Sequence, residues 1–244
     1  MDESWFLKWF NSPYYDLLYR HRSEGEAKAF LEELLKFLKP AIGSKMLDVA
    51  CGNGRYSIYL ADKGYDVTGI DISNSKIQEA SENTGDHLQF FRHDMRLPFR
   101  KNHFDYVFNF FTSFGYFERD EDHDRTIASI RDNLKVGGCF LLDYMNTPKV
   151  IEELVEEEER ELDGIHFSIK RYVENNFIVK KIEIHHRNRD FEFIERVRAF
   201  YLEDFQQMLA DNGLELKKHF GDYRLGEYVP SQSDRLILLA KKTN

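Results

Sequence analysis

Short apolar runs and helical spacings alternate along residues 46 to 143 of this 244-residue chain, and that alternation predicts the core of the fold. The runs at 46–49, 67–70, 88–91, 104–111 and 139–143 are rich in β-branched and aromatic residues and bounded by polar or glycine turns, as buried strands are. Between them apolar residues recur three and four apart, first at Tyr56, Ile58, Tyr59 and Leu60, then in helices over 73–83 and 127–134. Upstream, Phe30, Leu31, Leu34, Leu35 and Leu38 mark a helix over 26–38 that Pro40 stops. Ser12 before Pro13 is another helix start, the hydroxyl capping and the proline at the first helical position. Strand and helix in regular alternation build a doubly wound, mostly parallel α/β sheet.

The rhythm changes after residue 147. Residues 150–162 read as a strongly acidic helix, with Glu156 to Glu159 as its solvated face. Three strand-like runs follow, FSIKRYV, FIVKKIEIHH and FEFIERVRAFY, broken at 174–176 and 187–190, which predicts antiparallel hairpins. A last helix over 203–212 ends at Gly213, and runs at 214–220 and 236–241 close the chain as antiparallel strands. The expected organisation is an aromatic-rich helical lid over 1–40, a core over 41–146 and 201–244, and an antiparallel insertion over 147–200. That insertion is a place for acceptor specificity or a homodimer contact.

Composition narrows the picture. A hydrophobic share of 42% is enough to cover one large sheet, so no second large domain is required. The formal net charge of -9 argues against a nucleic-acid partner, which needs clustered lysine and arginine. Cys51 and Cys139 form no disulfide framework and read as reduced thiols. No run is long and apolar enough to span a bilayer and no leader pattern is present, so no membrane association and a cytoplasmic location are expected.

Candidate chemistry concentrates between Asp48 and Asp71. Strand, glycine turn at Gly52 and Gly54, helix, and second strand closed by an acid form a nucleoside site, in which small residues admit the ligand and the carboxylate accepts from ribose hydroxyls. The dinucleotide fingerprint would place a third glycine where Ser57 stands, and Asp48 would repel a pyrophosphate. A ligand carrying a sulfonium and an ammonium tolerates that carboxylate. In this setting DVACGNG resembles the first motif of the class I S-adenosylmethionine-dependent methyltransferases.

Other stretches carry the same resemblance: F-D-x-V at 104–107, L-K-x-G-G at 134–138, and a tyrosine helix ahead of the glycine turn. It implies a Rossmann-like seven-stranded sheet and a donor site formed by Tyr15, Tyr19, Asp48, Ala50, Gly52, Gly54, Asp71, Ile72, Asp94, Met95, Asn109, Phe111 and Ser113. Asp71 would read the ribose and Asp94 the adenine amino group, with Met95 packing on the ring. Within the family the chain is similar to N-methyltransferases of nucleotide-linked amino sugars and, less closely, to glycine or sarcosine methyltransferases. Tyr116 stands where the amino-sugar enzymes tend to carry histidine.

The implied reaction is in-line methyl transfer from S-adenosylmethionine to a nitrogen or oxygen of a small molecule, leaving S-adenosylhomocysteine. Much of it is positioning in a water-poor pocket, and a base helps a protonated acceptor. Tyr116, His123 and Tyr19 are the candidates for that role. His123 sits among Asp120, Glu121, Asp122 and Asp124, where a histidine is more often their exposed partner. His185 and His186 are neighbours on a strand, face opposite ways, and are not read as metal ligands. Two other readings stay open: a non-catalytic protein that senses the donor or its product, and a nicotinamide-dependent oxidoreductase.

Overall fold

The computed structural model describes residues 5–20 and 24–243. Its central sheet has seven strands in the order β10-β11-β5-β4-β1-β2-β3. These are β1 (Lys45–Val49), β2 (Asp66–Asp71), β3 (Leu88–Arg92), β4 (Phe104–Asn109), β5 (Leu134–Met145), β10 (Leu214–Phe220) and β11 (Arg235–Lys242). The run from β3 to β5 is parallel, while β11 pairs antiparallel with β5 and with β10. The expected α/β fold, mostly parallel and with seven strands, is therefore present.

Helices cover both faces, and each presents an apolar stripe to the strands. On one face, α3 (Glu24–Leu38) and α4 (Arg55–Asp62) bury Phe30, Leu34 and Leu60 against Met46, Val67 and Phe108. On the other, α6 (Asp120–Asn133) and α8 (Leu202–Asp211) bury Ile127, Ile130 and Phe205 against Leu47, Val107 and Leu142. A further helix, α5 (Asn74–Ser81), is capped by Ser73, whose hydroxyl accepts from Lys76 N at 3.1 Å.

A second, antiparallel sheet of four strands has the order β6-β7-β8-β9. It comprises β6 (Glu157–Leu162), β7 (Ile165–Glu174), β8 (Phe177–His186) and β9 (Arg189–Arg198). Its apolar face packs on two short N-terminal helices, α1 (Trp5–Phe10) and α2 (Pro13–Tyr19), joining Trp9 and Leu18 to Phe167, Ile169, Ile182 and Ile184. Ser12 caps α2 and Pro13 starts it, as the sequence predicts. Two arginines fasten β9 to the core, Arg196 to Glu118 at 2.5 Å and Arg198 to Asp120 at 3.0 Å.

The acidic stretch corrects one expectation. The helix α7 (Thr147–Glu152) stops early, and residues 157–162 form β6 instead of continuing a helix over 150–162. Along β6 exposure alternates: Glu157, Glu159 and Glu161 face solvent, while Glu158, Arg160 and Leu162 are half-buried. Cations on the neighbouring strand decide the matter, since Lys170 meets Glu157 at 3.2 Å and Arg171 meets Glu158 at 2.5 Å.

Candidate donor and acceptor site

The glycine turn is built from left-handed positions. After β1 the chain passes through Ala50 (φ 59°), Gly52 (φ 56°) and Gly54 (φ 83°) before α4 begins. A Cβ on Gly54 would come 2.5 Å from the Phe90 ring, so only glycine lets α4 approach β3 there. At Gly52 an added Cβ meets nothing within 4 Å, which marks open space beside the turn.

Asp71, at the end of β2, organises the turns around it. One oxygen accepts from Gly52 N at 2.9 Å and the other from Ser73 N at 2.8 Å. Burial raises its pKa from the ordinary carboxylate value, and those two backbone donors pull it back. Each carboxylate oxygen has two lone pairs, so one on each remains for a ligand hydroxyl.

Asp48 is fully buried, and Ser57 Oγ donates to it at 2.6 Å. Thus the serine in place of a third glycine serves the acid at the start of the turn. Burial pushes the Asp48 carboxyl up to about 7, against the opposing pull of the Ser57 hydrogen bond. Near neutral pH this group therefore divides between its acid and carboxylate forms.

Asp94 is held by a neighbour that the sequence reading did not use. Its two oxygens accept from Arg96 Nε and Nη2, the shortest contact being 2.7 Å, and from Arg96 N at 2.9 Å. The Arg96 bonds outweigh partial burial and hold the Asp94 pKa below the ordinary value. Arg96 also reaches Asp122 at 3.2 Å and lies over the Phe117 ring at 4.9 Å.

One cavity of about 850 Å³ connects these groups. Asp48, Ala50, Asp71, Ile72, Asp94 and Met95 line it, as do Tyr15, Tyr19, Phe111, Ser113 and Tyr116. Gly52, Gly54 and Asn109 are not in the lining; Gly52 acts through its bond to Asp71, and Asn109 donates to Val49 O at 2.9 Å. Tyr15 and Tyr19 do share a helical face, their rings 4.9 Å apart. Tyr116 packs against Trp5 and Phe10.

His123 lies elsewhere. It is fully buried among Phe114, Phe117 and Phe200, outside the cavity lining and not on the surface beside its acidic neighbours. Neither ring nitrogen has a hydrogen-bond partner among the described residues, and desolvation lowers its pKa to about 4. His123→Phe is expected to raise unfolding stability by about 1 kcal/mol, because an unsatisfied buried polar ring gives way to an apolar one. Urea denaturation would measure that gain, and a folded variant that loses methyl transfer would return His123 to the chemistry.

Glu195 and Arg235 are among the lining residues that the sequence motifs did not single out. Glu195 accepts from Trp9 Nε1 at 2.5 Å and from Tyr19 OH at 2.7 Å, and Arg235 stands at the start of β11. Each left a trace. Phe191, Phe193, Glu195 and Val197 share one face at the period of two, so the glutamate interrupts an apolar row. Arg235 opens an otherwise unbroken apolar run.

Comparison with known families decides the class. Residues 46–138, which span β1 to the start of β5, match the methyltransferase domain family. Residues 46–138 carry the likeness to a methyltransferase domain. Over 242 residues the chain is 29% identical to the putative methyltransferase YqeM of Bacillus subtilis, covering 94% of each. It is 24% identical over 218 residues to dTDP-3-amino-3,4,6-trideoxy-alpha-D-glucopyranose N,N-dimethyltransferase of Streptomyces venezuelae, covering 83% of this chain and 89% of that one. Among solved structures, an S-adenosylmethionine-dependent methyltransferase from Clostridium acetobutylicum superposes with a TM-score of 0.79 at 19% identity, covering 95% of this chain and 96% of the other. The fold shared with that structure therefore extends beyond the matched residues 46–138. The open space at Gly52 and the lone pairs left on Asp71 suit a nucleoside donor.

Proposed function

We propose that this methyltransferase moves a methyl group from S-adenosylmethionine to an amine of a small-molecule acceptor. The observation that carries the reading is the single cavity with two unlike halves: a donor half around Asp71 and the glycine turn, and an aromatic half containing Glu195 and the Tyr19 hydroxyl. Its volume, about 850 Å³, lies within the range of about 300–1,000 Å³ of small-molecule sites. The amino-sugar dimethyltransferase that the chain resembles methylates nitrogen, which supports the same choice.

In this reading Asp71 accepts from the ribose hydroxyls, Ile72 and Met95 flank the adenine, and Asp94, steadied by Arg96, faces its amino group. Tyr15 and Asp48 lie toward the amino-acid end. The donor supplies an electrophilic methyl on a sulfonium. The chain's own residues orient the acceptor and exclude water: Tyr19, its hydroxyl held by Glu195, and Tyr116 wall the acceptor part. Residues 1–40 then serve as lid, 41–146 with 201–244 as donor-binding core, and 147–200 as the acceptor wall.

Calorimetric titration with S-adenosylmethionine, S-adenosylhomocysteine and NAD tests the donor assignment. Binding of the first two and not the third is expected; absence of both overturns the reading. Incubation with labelled donor and a metabolite extract then separates an enzyme from a sensor, since only an enzyme labels a small amine.

A further inference from the structure

The cavity is also lined by a guanidinium with no role in the proposed transfer. Arg235 is tied to the fully buried Asp143, Nε donating at 2.7 Å, while Nη2 donates to Thr112 Oγ1 at 2.9 Å. Asp143 is itself fixed, accepting from Phe111 N at 2.9 Å and Tyr223 OH at 3.0 Å. The guanidinium also lies over the rings of Phe111 and Tyr223, at 5.4 and 5.6 Å. Its plane is therefore held in one orientation, which fixes the direction of the remaining Nη1.

Arginine has five N–H donors. The bonds to Asp143 and Thr112 use Nε and Nη2, and no hydrogen bond among the described residues engages Nη1. Because Arg235 lines the cavity, those remaining donors belong to whatever fills it. Strand order places the position. β11 lies four strand spacings from β2, and the guanidinium reaches back to Asp143 of β5 and Thr112 just past β4, which at roughly 4.8 Å per spacing leaves it about 10–14 Å across the sheet from Asp71. The two residues cannot hold the same end of one ligand.

We infer that the methyl acceptor carries an anionic group, a carboxylate or a phosphate, received by Nη1 of Arg235 in addition to the amine. This rests on the proposed methyl transfer. Glu195 does not oppose it, because Lys180 Nζ lies 3.7 Å from its carboxylate. An acceptor bearing both groups would set its amine toward Tyr19 and Tyr116 and its anion toward Arg235.

The test is a calorimetric titration of S-adenosylhomocysteine-saturated protein with acetate and with inorganic phosphate. Wild type is compared with R235K, which keeps a charge beside Asp143 but loses the fork, and with the double variant D143N/R235Q, which leaves no lone buried charge. Thermal melting checks that each variant is folded. Binding of one anion to wild type, weakened about tenfold or more in both variants with donor affinity unchanged, is expected. Which anion binds tells carboxylate from phosphate. The inference is overturned if neither anion binds wild type, or if both bind the variants equally well. It is also overturned if R235K loses S-adenosylmethionine affinity, which would give Arg235 to the donor. Failure of the methyl-transfer reading shows differently, as absent donor binding by wild type, and the titration is then run on the ligand-free chain.

Discussion

Replacing Asp71 with alanine is expected to weaken S-adenosylmethionine binding by about a hundredfold or more, while the melting temperature falls by only a few degrees. Hydrogen bonds to a charged group contribute about 1.5–3 kcal/mol each, and two ribose hydroxyls would be lost together. The same oxygens hold Gly52 N and Ser73 N, so the variant also loosens the turn and the cap of α5. Both losses act on donor affinity, whereas the hydrophobic core against which these turns pack is untouched. Gly52→Val is expected to follow by another route, because its side chain would strain a positive φ and project into the open space beside the turn. Calorimetry reads the affinities and a thermal melt reads the fold. Unchanged affinity in both variants would remove the donor assignment.

The second large effect is a pair of opposed pH dependences. In the unfolded chain Asp48 ionises near pH 4, and in the native state at about 7. Between those values the native state keeps a proton that the unfolded chain has released. Stability is therefore present at low pH and lost as pH rises, by roughly 4 kcal/mol over the window. Asp71, also raised by burial, pulls in the same direction. His123 works the other way, titrating near 6.5 unfolded and at about 4 in the native state. Its contribution is present above 6.5 and lost as pH falls toward 4, by roughly 3 kcal/mol. The two slopes oppose each other from about pH 4 to 6.5.

Single variants should expose each slope. Relative to wild type, D48N should become steadily less stable as the medium is acidified, and H123F should lose stability as pH rises from about 4 to 7. Salt-bridged acids such as Asp105, lowered mainly by the Lys135 hydrogen bond against its burial, weaken all three proteins in acid, so the comparison is between profiles. Urea denaturation at four pH values would show it. Parallel profiles for the three proteins would refute the assignment.

The alternating core was the most legible part of the sequence, because buried parallel strands are apolar on both faces and their runs stand out. The β10 strand has the bounds that its run predicted, 214–220. The β6 strand was not legible, since E-E-E-R-E-L offers no apolar contrast and its pairing depends on Lys170 and Arg171 across the sheet. The burial of His123 was hidden for a similar reason: four acids in the sequence suggested solvent, while three phenylalanines distant in the chain enclose the ring in space. In the cavity, the local motif drew attention to Asp48 and Asp71. Glu195 and Arg235 depend on contacts made from far along the chain, and each was visible only as a charge out of place in an apolar row.

The outermost strand of the second sheet has a consequence for association. β6 ends the order β6-β7-β8-β9, and it bears four glutamates against one arginine. Lys170 and Arg171 of β7 pair with Glu157 and Glu158, so what a second copy would meet at that rim is chiefly Glu159 and Glu161, and the two rims would repel modestly and most at low ionic strength. Strand-to-strand self-recruitment through β6 is thereby discouraged, and a cation opposite Glu159 or Glu161 would ease the arrival of any visitor that lengthens the sheet there.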